Sequence, residues 1–129
     1  METSRPLPLR WIAVEALITR KFTEATDVYA FGVTIGELYT GASLPLEELD
    51  DTAIITLMTS SLRKTQQGQV VHSLHPTPTG CPALLGALMQ QCVAISPDTR
   101  PSFAGILDIL KQDVGVVVWA DDGESESRL

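Results

Sequence analysis

The stretch from Asp27 to Tyr39 constrains the fold more than any other part of the chain. Val28, Phe31, Ile35, Leu38 and Tyr39 recur at helical spacing, while Ala30 and Val33 place apolar surface elsewhere around the same axis. A helix that is apolar on most sides persists in water only when other elements surround it, so the stretch predicts a central rod within a helical array. Thr26 is expected to cap its N-terminus, Asp27 supplies a carboxylate where the helix dipole favours one, and Gly41 stands where the helix should stop.

The 129 residues, 44% of them hydrophobic, suffice for one modest core and leave no room for a second full domain. Residues 1 to 13 hold Pro6 and Pro8 without a helical period and read as an extended loop entering a short helical turn at Val14 to Leu17. After the break at Leu44-Pro45, a helix is predicted from Asp51 to Met58, burying Ile54, Ile55, Leu57 and Met58 against the weak propensities of Thr52, Thr56 and Thr59. Residues 60 to 80, with Pro76 and Pro78, read as a long loop. A third helix should begin near Pro82 with the stripe Leu84, Leu85, Leu88, Met89 and Cys92, and end before Ser96-Pro97. The fourth, capped by Ser102, should run to Lys111 with Phe103, Ile106, Leu107 and Leu110 inward.

Formal net charge is -7 and the nine Lys and Arg residues are scattered, which argues against nucleic acid or an anionic membrane as partner. No apolar run approaches the ~20 residues that span a bilayer, and the Met1 to Pro6 start lacks the layout of a signal peptide. Cys81 and Cys92 form neither a disulfide framework nor a zinc motif, so a reducing, cytoplasmic setting is expected. Ser127-Arg128-Leu129 is close to a peroxisomal tripeptide and offers a weaker alternative address. His72 and His75 lack Cys, Asp or Glu neighbours and are expected to be solvated, with no metal bound.

Glu15 and Arg100 lie far apart in sequence, Glu15 between Val14 and Ala16 and Arg100 before Pro101, and charges in apolar settings need partners. They also fall within a larger pattern. Leu7-Pro8-Leu9-Arg10-Trp11-Ile12-Ala13-Val14-Glu15-Ala16-Leu17, then Asp27-Val28-Tyr29-Ala30-Phe31-Gly32-Val33, then Cys92 followed by Pro97-Asp98-Thr99-Arg100-Pro101-Ser102-Phe103 together resemble the protein-kinase family. The first stretch is similar to the end of the activation segment, where kinases usually read Ala-Pro-Glu, and its Leu-Pro-Leu-Arg-Trp lead-in resembles the tyrosine-kinase group. The resemblance divides the chain into an N-terminal extension (1–6), part of a kinase C-lobe (7–111) and an acidic tail (112–129). It implies a mainly α fold: a short helix after the activation segment, the central buried helix, then three further helices. Val14 stands where the family usually has proline, Gly36 and Val93 where tryptophan is common, and the connection after Gly41 is shorter than typical.

By the same resemblance, Glu15 and Arg100 pair to tie the activation-segment end to the loop between the third and fourth helices. Asp27 would accept backbone N–H bonds from a catalytic loop; without that loop it serves only the first turn of its helix. Leu7, Pro8, Leu9 and Trp11 match the substrate-docking platform. No residue matches a catalytic role, because the sequence has no GxGxxG, no His-Arg-Asp and no Asp-Phe-Gly. ATP and magnesium are therefore expected for the complete family and not for this chain. The resemblance implies a parent that phosphorylates protein hydroxyls, tyrosine first, with protein substrates or partners; the alternative is a non-catalytic, pseudokinase-like interaction module. Apolar surface on the rod is expected to stay uncovered.

Overall fold

The computed structural model describes residues 8–114. The 1–6 extension, Leu7 and the tail from residue 115, including Ser127-Arg128-Leu129, lie outside the described residues. The architecture is helical: α1 (Val14–Thr19), α2 (Glu24–Leu38), α3 (Asp51–Gln66), α4 (Ala83–Cys92) and α5 (Phe103–Val114), with 3-10 turns at Leu9–Trp11 and Pro97–Thr99 and no strand among the described residues.

The rod is α2, and it begins one turn earlier than expected. Thr23, not Thr26, is its cap: the Thr23 hydroxyl accepts from the Thr26 N–H at 3.4 Å, and Thr26 Oγ1 accepts from the Thr23 N–H at 2.8 Å. This reciprocal box satisfies two donors that a helix start otherwise leaves open. Val28, Tyr29, Gly32, Val33, Ile35 and Gly36 are buried. The opposite strip is open: Asp27 and Thr34 are exposed, and Leu38, expected inside, is 73% exposed.

Two apolar clusters flank the rod. Ala13, Val14, Tyr29, Val33, Ile54, Met58 and Val93 join α1, α2 and α3 on one side, and Val28, Ile35, Leu88, Met89, Cys92 and Ile106 join α2, α4 and α5 on the other. Gly32 lets α4 approach closely, since a Cβ there would stand 2.6 Å from Cys92 Cβ and 2.8 Å from Val93 Cγ1. At Gly36 the Met89 methyl comes within 3.0 Å of where a Cβ would be, so a side chain from α4 occupies part of the space that Gly36 leaves. Val93 is fully buried.

α3 is twice the predicted length. Ile54, Met58 and Ser61 continue one buried stripe, and Asp50 caps the start through the Ala53 N–H at 2.8 Å. Arg63 and Lys64 complement the dipole at its end. Ile55 and Leu57, expected to be buried, are exposed because they fall on the other face. The α3–α4 connection is pinned by Gln90, whose Nε2 donates to the His75 carbonyl at 2.7 Å and to Thr77 Oγ1 at 3.0 Å. In α5 the Ser102 hydroxyl accepts from the Gly105 N–H at 3.0 Å. Of the predicted inner residues Ile106 is buried, whereas Phe103 and Leu107 are about two-fifths exposed, at 39% and 43%.

Candidate functional site

Arg100 sits at the meeting point of α1, α2 and the α4–α5 connection, with its side chain wholly excluded from solvent. Nη1 donates to Glu15 Oε2 at 2.6 Å and to the Ala25 carbonyl at 3.1 Å; Nη2 donates to Glu15 Oε1 at 3.0 Å and to the Ile95 carbonyl at 3.2 Å; Nε donates to the Ala94 carbonyl at 2.9 Å. Every guanidinium N–H thus has an acceptor, which is how a buried cation avoids a desolvation penalty of several kcal/mol. The paired bonds to Glu15 use the planar fork of arginine, which lysine lacks. Arg100 Cζ also lies 5.1 Å from the centre of the Tyr29 ring.

Tyr29 extends this centre toward the α3–α4 connection. Its hydroxyl and His75 Nε2 share a hydrogen bond of 3.0 Å in the interior. His75 is 5% exposed, which corrects the expectation of a solvated side chain; His72 is exposed. Burial lowers the His75 pKa to about 4, so the ring is neutral at physiological pH. Burial also raises the Tyr29 phenol well above its ordinary value, opposed by Arg100 and reinforced by Glu15. Cys92 is pushed up to about 11 by burial, with Arg100 opposing, which makes it a packing residue and not a nucleophile.

The segment matched to the substrate platform is held from both sides. Trp11 donates its indole N–H to Glu37 Oε1 at 2.8 Å and packs against the first core cluster. Arg10 Nη1 donates to the Pro45 and Leu46 carbonyls at 2.9 and 2.8 Å, and its Nη2 donates to the Leu49 carbonyl at 2.8 Å and to Asp51 Oδ1 at 3.2 Å. These bonds lock the α2–α3 connection, where Leu46 adopts a φ of 54° that disfavours a bulky residue. Pro8 is exposed and Leu9 half-buried; Leu7 lies outside the described residues. Arg10 has no sequence signal beyond lying beside Trp11, because its acceptors are backbone carbonyls. Asp27 is exposed in the first turn of α2, and Glu24 in the same turn accepts from the Phe103 N–H at 3.0 Å, closing the start of α5.

The sequence lacks the glycine loop, catalytic-loop and magnesium-binding motifs, and the described residues hold no group of three His, Cys, Asp or Glu able to bind a metal ion. No helix among the described residues is long and apolar enough to cross a membrane.

A buried helical rod, a bidentate acid–arginine tie across the chain and a clamped segment before the acid define part of a kinase C-lobe. A family profile described as "Protein tyrosine and serine/threonine kinase" matches residues 1–110, and the chain belongs to that family. It is 37% identical over 105 residues to human "Inactive tyrosine-protein kinase 7", 33% over 117 residues to "Tyrosine-protein kinase hopscotch" of Drosophila melanogaster and 39% over 108 residues to mouse "Epithelial discoidin domain-containing receptor 1". These matches cover 81%, 91% and 83% of this chain, but only 9%, 9% and 11% of those proteins. The chain thus spans about a tenth of the length of the curated relatives it matches.

Proposed function

We propose that the chain is the C-lobe portion of a kinase whose parent protein transfers the γ-phosphate of ATP to protein hydroxyls, with tyrosine as the preferred acceptor, and that the portion alone transfers none. The Glu15–Arg100 tie carries this reading, because it fixes the end of the activation segment against the helical core. The clamped segment from Pro8 to Trp11 supports a role as substrate platform, and its resemblance to tyrosine kinases supports the acceptor. Phosphoryl transfer depends on positioning and charge neutralisation, and the groups that supply them are missing from this sequence. Titration of the purified chain with ATP and magnesium, together with a tyrosine-peptide phosphorylation assay, is expected to show neither binding nor transfer. Saturable nucleotide affinity would overturn the inactivity of the portion.

A second reading has its own support. The exposed Phe22, Leu38, Phe103 and Leu107 offer apolar surface to a protein partner, and one relative bears the name of an inactive kinase. A cytoplasmic protein that binds another kinase or scaffold without catalysis fits those features. A chain that stays soluble, monomeric and cooperatively folded when purified would weigh against it.

A further inference from the structure

Beside the kinase features lies an open groove of about 240 Å³, bordered by α2, the α2–α3 connection and the approach to α4. Gly36 and Met89 line it from the helices, Leu44 and Leu46 from the first connection, and Pro76 and Pro78 from the second. The lining also holds Glu37, Glu47 and Glu48, with no Lys or Arg. Its sign extends outward: no Lys or Arg occurs between Lys21 and Arg63, whereas Asp50 and Asp51 follow directly on the acidic connection.

The cations nearby are already committed. Arg10 is engaged by the Pro45, Leu46 and Leu49 carbonyls and by Asp51. Those same bonds set the wall that carries Leu44 and Leu46, so the groove is shaped before anything enters it. Glu37 is occupied by the Trp11 indole, which leaves the exposed Glu47 and Glu48 as the open acceptors. His75, also in the lining, is a neutral imidazole whose Nε2 is taken by Tyr29.

We propose that this groove binds a basic, leucine-containing segment of a partner protein, its apolar side chain against Gly36 and Met89 and its Arg or Lys against Glu47 and Glu48. Charge complementarity selects this occupant. An acidic or phosphorylated segment would meet like charge, and so would the chain's own tail, where Asp121, Asp122, Glu124 and Glu126 outnumber Arg128. The proposal holds whether or not the parent protein transfers phosphate, so peptide binding tests it while nucleotide binding tests the kinase reading.

The probe is a fluorescently labelled octapeptide of alternating leucine and arginine, titrated with the full chain and followed by anisotropy. Saturable binding that weakens with added salt is expected, as is no binding by the same peptide with glutamate for arginine. The double variant Glu47→Gln, Glu48→Gln should weaken binding about tenfold at an unchanged Tm, since both side chains are exposed. Gly36→Leu, which crowds Met89 and fills the groove, should abolish binding; if it also lowers Tm, Glu48→Lys gives the decisive reading at the surface. Absence of binding, equal binding of the glutamate peptide, or affinity indifferent to Glu47 and Glu48 would overturn the proposal.

Discussion

Arg100 and Glu15 meet through two hydrogen bonds, of 2.6 and 3.0 Å, across 85 residues of sequence. Arg100→Met should remove about 3–5 kcal/mol of stability by leaving the carboxylate without its partner and the Ala94 and Ile95 carbonyls without a donor. Arg100→Lys should recover only part of this, because an ammonium cannot reproduce the fork. Urea unfolding of both variants beside Glu15→Gln checks the pair, and a loss under about 1 kcal/mol for Arg100→Met would reduce it to a surface contact.

Stability should depend on pH through His75. Its folded-state pKa is about 4, below the ~6.5 of an unfolded chain. The unfolded state therefore takes the proton first, so the contribution is complete above ~6.5 and drains away as pH falls toward the folded value. The loss should reach about 3 kcal/mol at the acid end. Replacing both members, Tyr29→Phe with His75→Leu, removes the hydrogen bond without orphaning either group and should flatten the profile of urea midpoint against pH.

Gly32→Ala tests the contact between α2 and α4. Alanine gains helix propensity worth ~1 kcal/mol, yet its methyl would press on Cys92 Cβ and Val93 Cγ1. Overpacking of this kind costs ~1–3 kcal/mol, so a net lowering of Tm is expected. A raised Tm would mean that the helices stand farther apart than described.

Val14→Pro should be tolerated. Val14 opens α1, where the N–H has no partner within the helix, and Ala13 before it has an extended ψ of 146° that suits a residue preceding proline. The change in unfolding free energy should stay within ~1 kcal/mol, against ~3 kcal/mol or more for proline inside a helix. Proline at Leu57, in the interior of α3 and exposed, supplies the contrast on the same calorimetric scale.

The rod and the order of the helices were legible in the sequence because each rests on a pattern that chemistry enforces, apolar spacing and proline punctuation, whereas the acid–arginine tie was legible only through the resemblance to the kinase family. The second half of α3 was not. Ser60, Ser61 and Thr65 carry weak helix propensity, and burial against α1 and the turn before it overrode that weakness. Thr23 was hidden because the box closes on another threonine instead of the usual Glu or Gln. His75 and Arg10 were missed for a shared reason. Their partners, one phenol and a set of backbone carbonyls, are remote in sequence and leave no spacing to detect.

The carboxylate of Glu24 closes the start of α5 while Arg100 reaches back to the Ala25 carbonyl, so the first turn of the rod is fastened by groups from the far end of the polypeptide. A ribosome making this chain must release nearly all of the lobe before either fastening can form. Closing so long a loop is slow compared with winding local helices, and the rod's first turn stays unlatched until Arg100 and Phe103 have emerged.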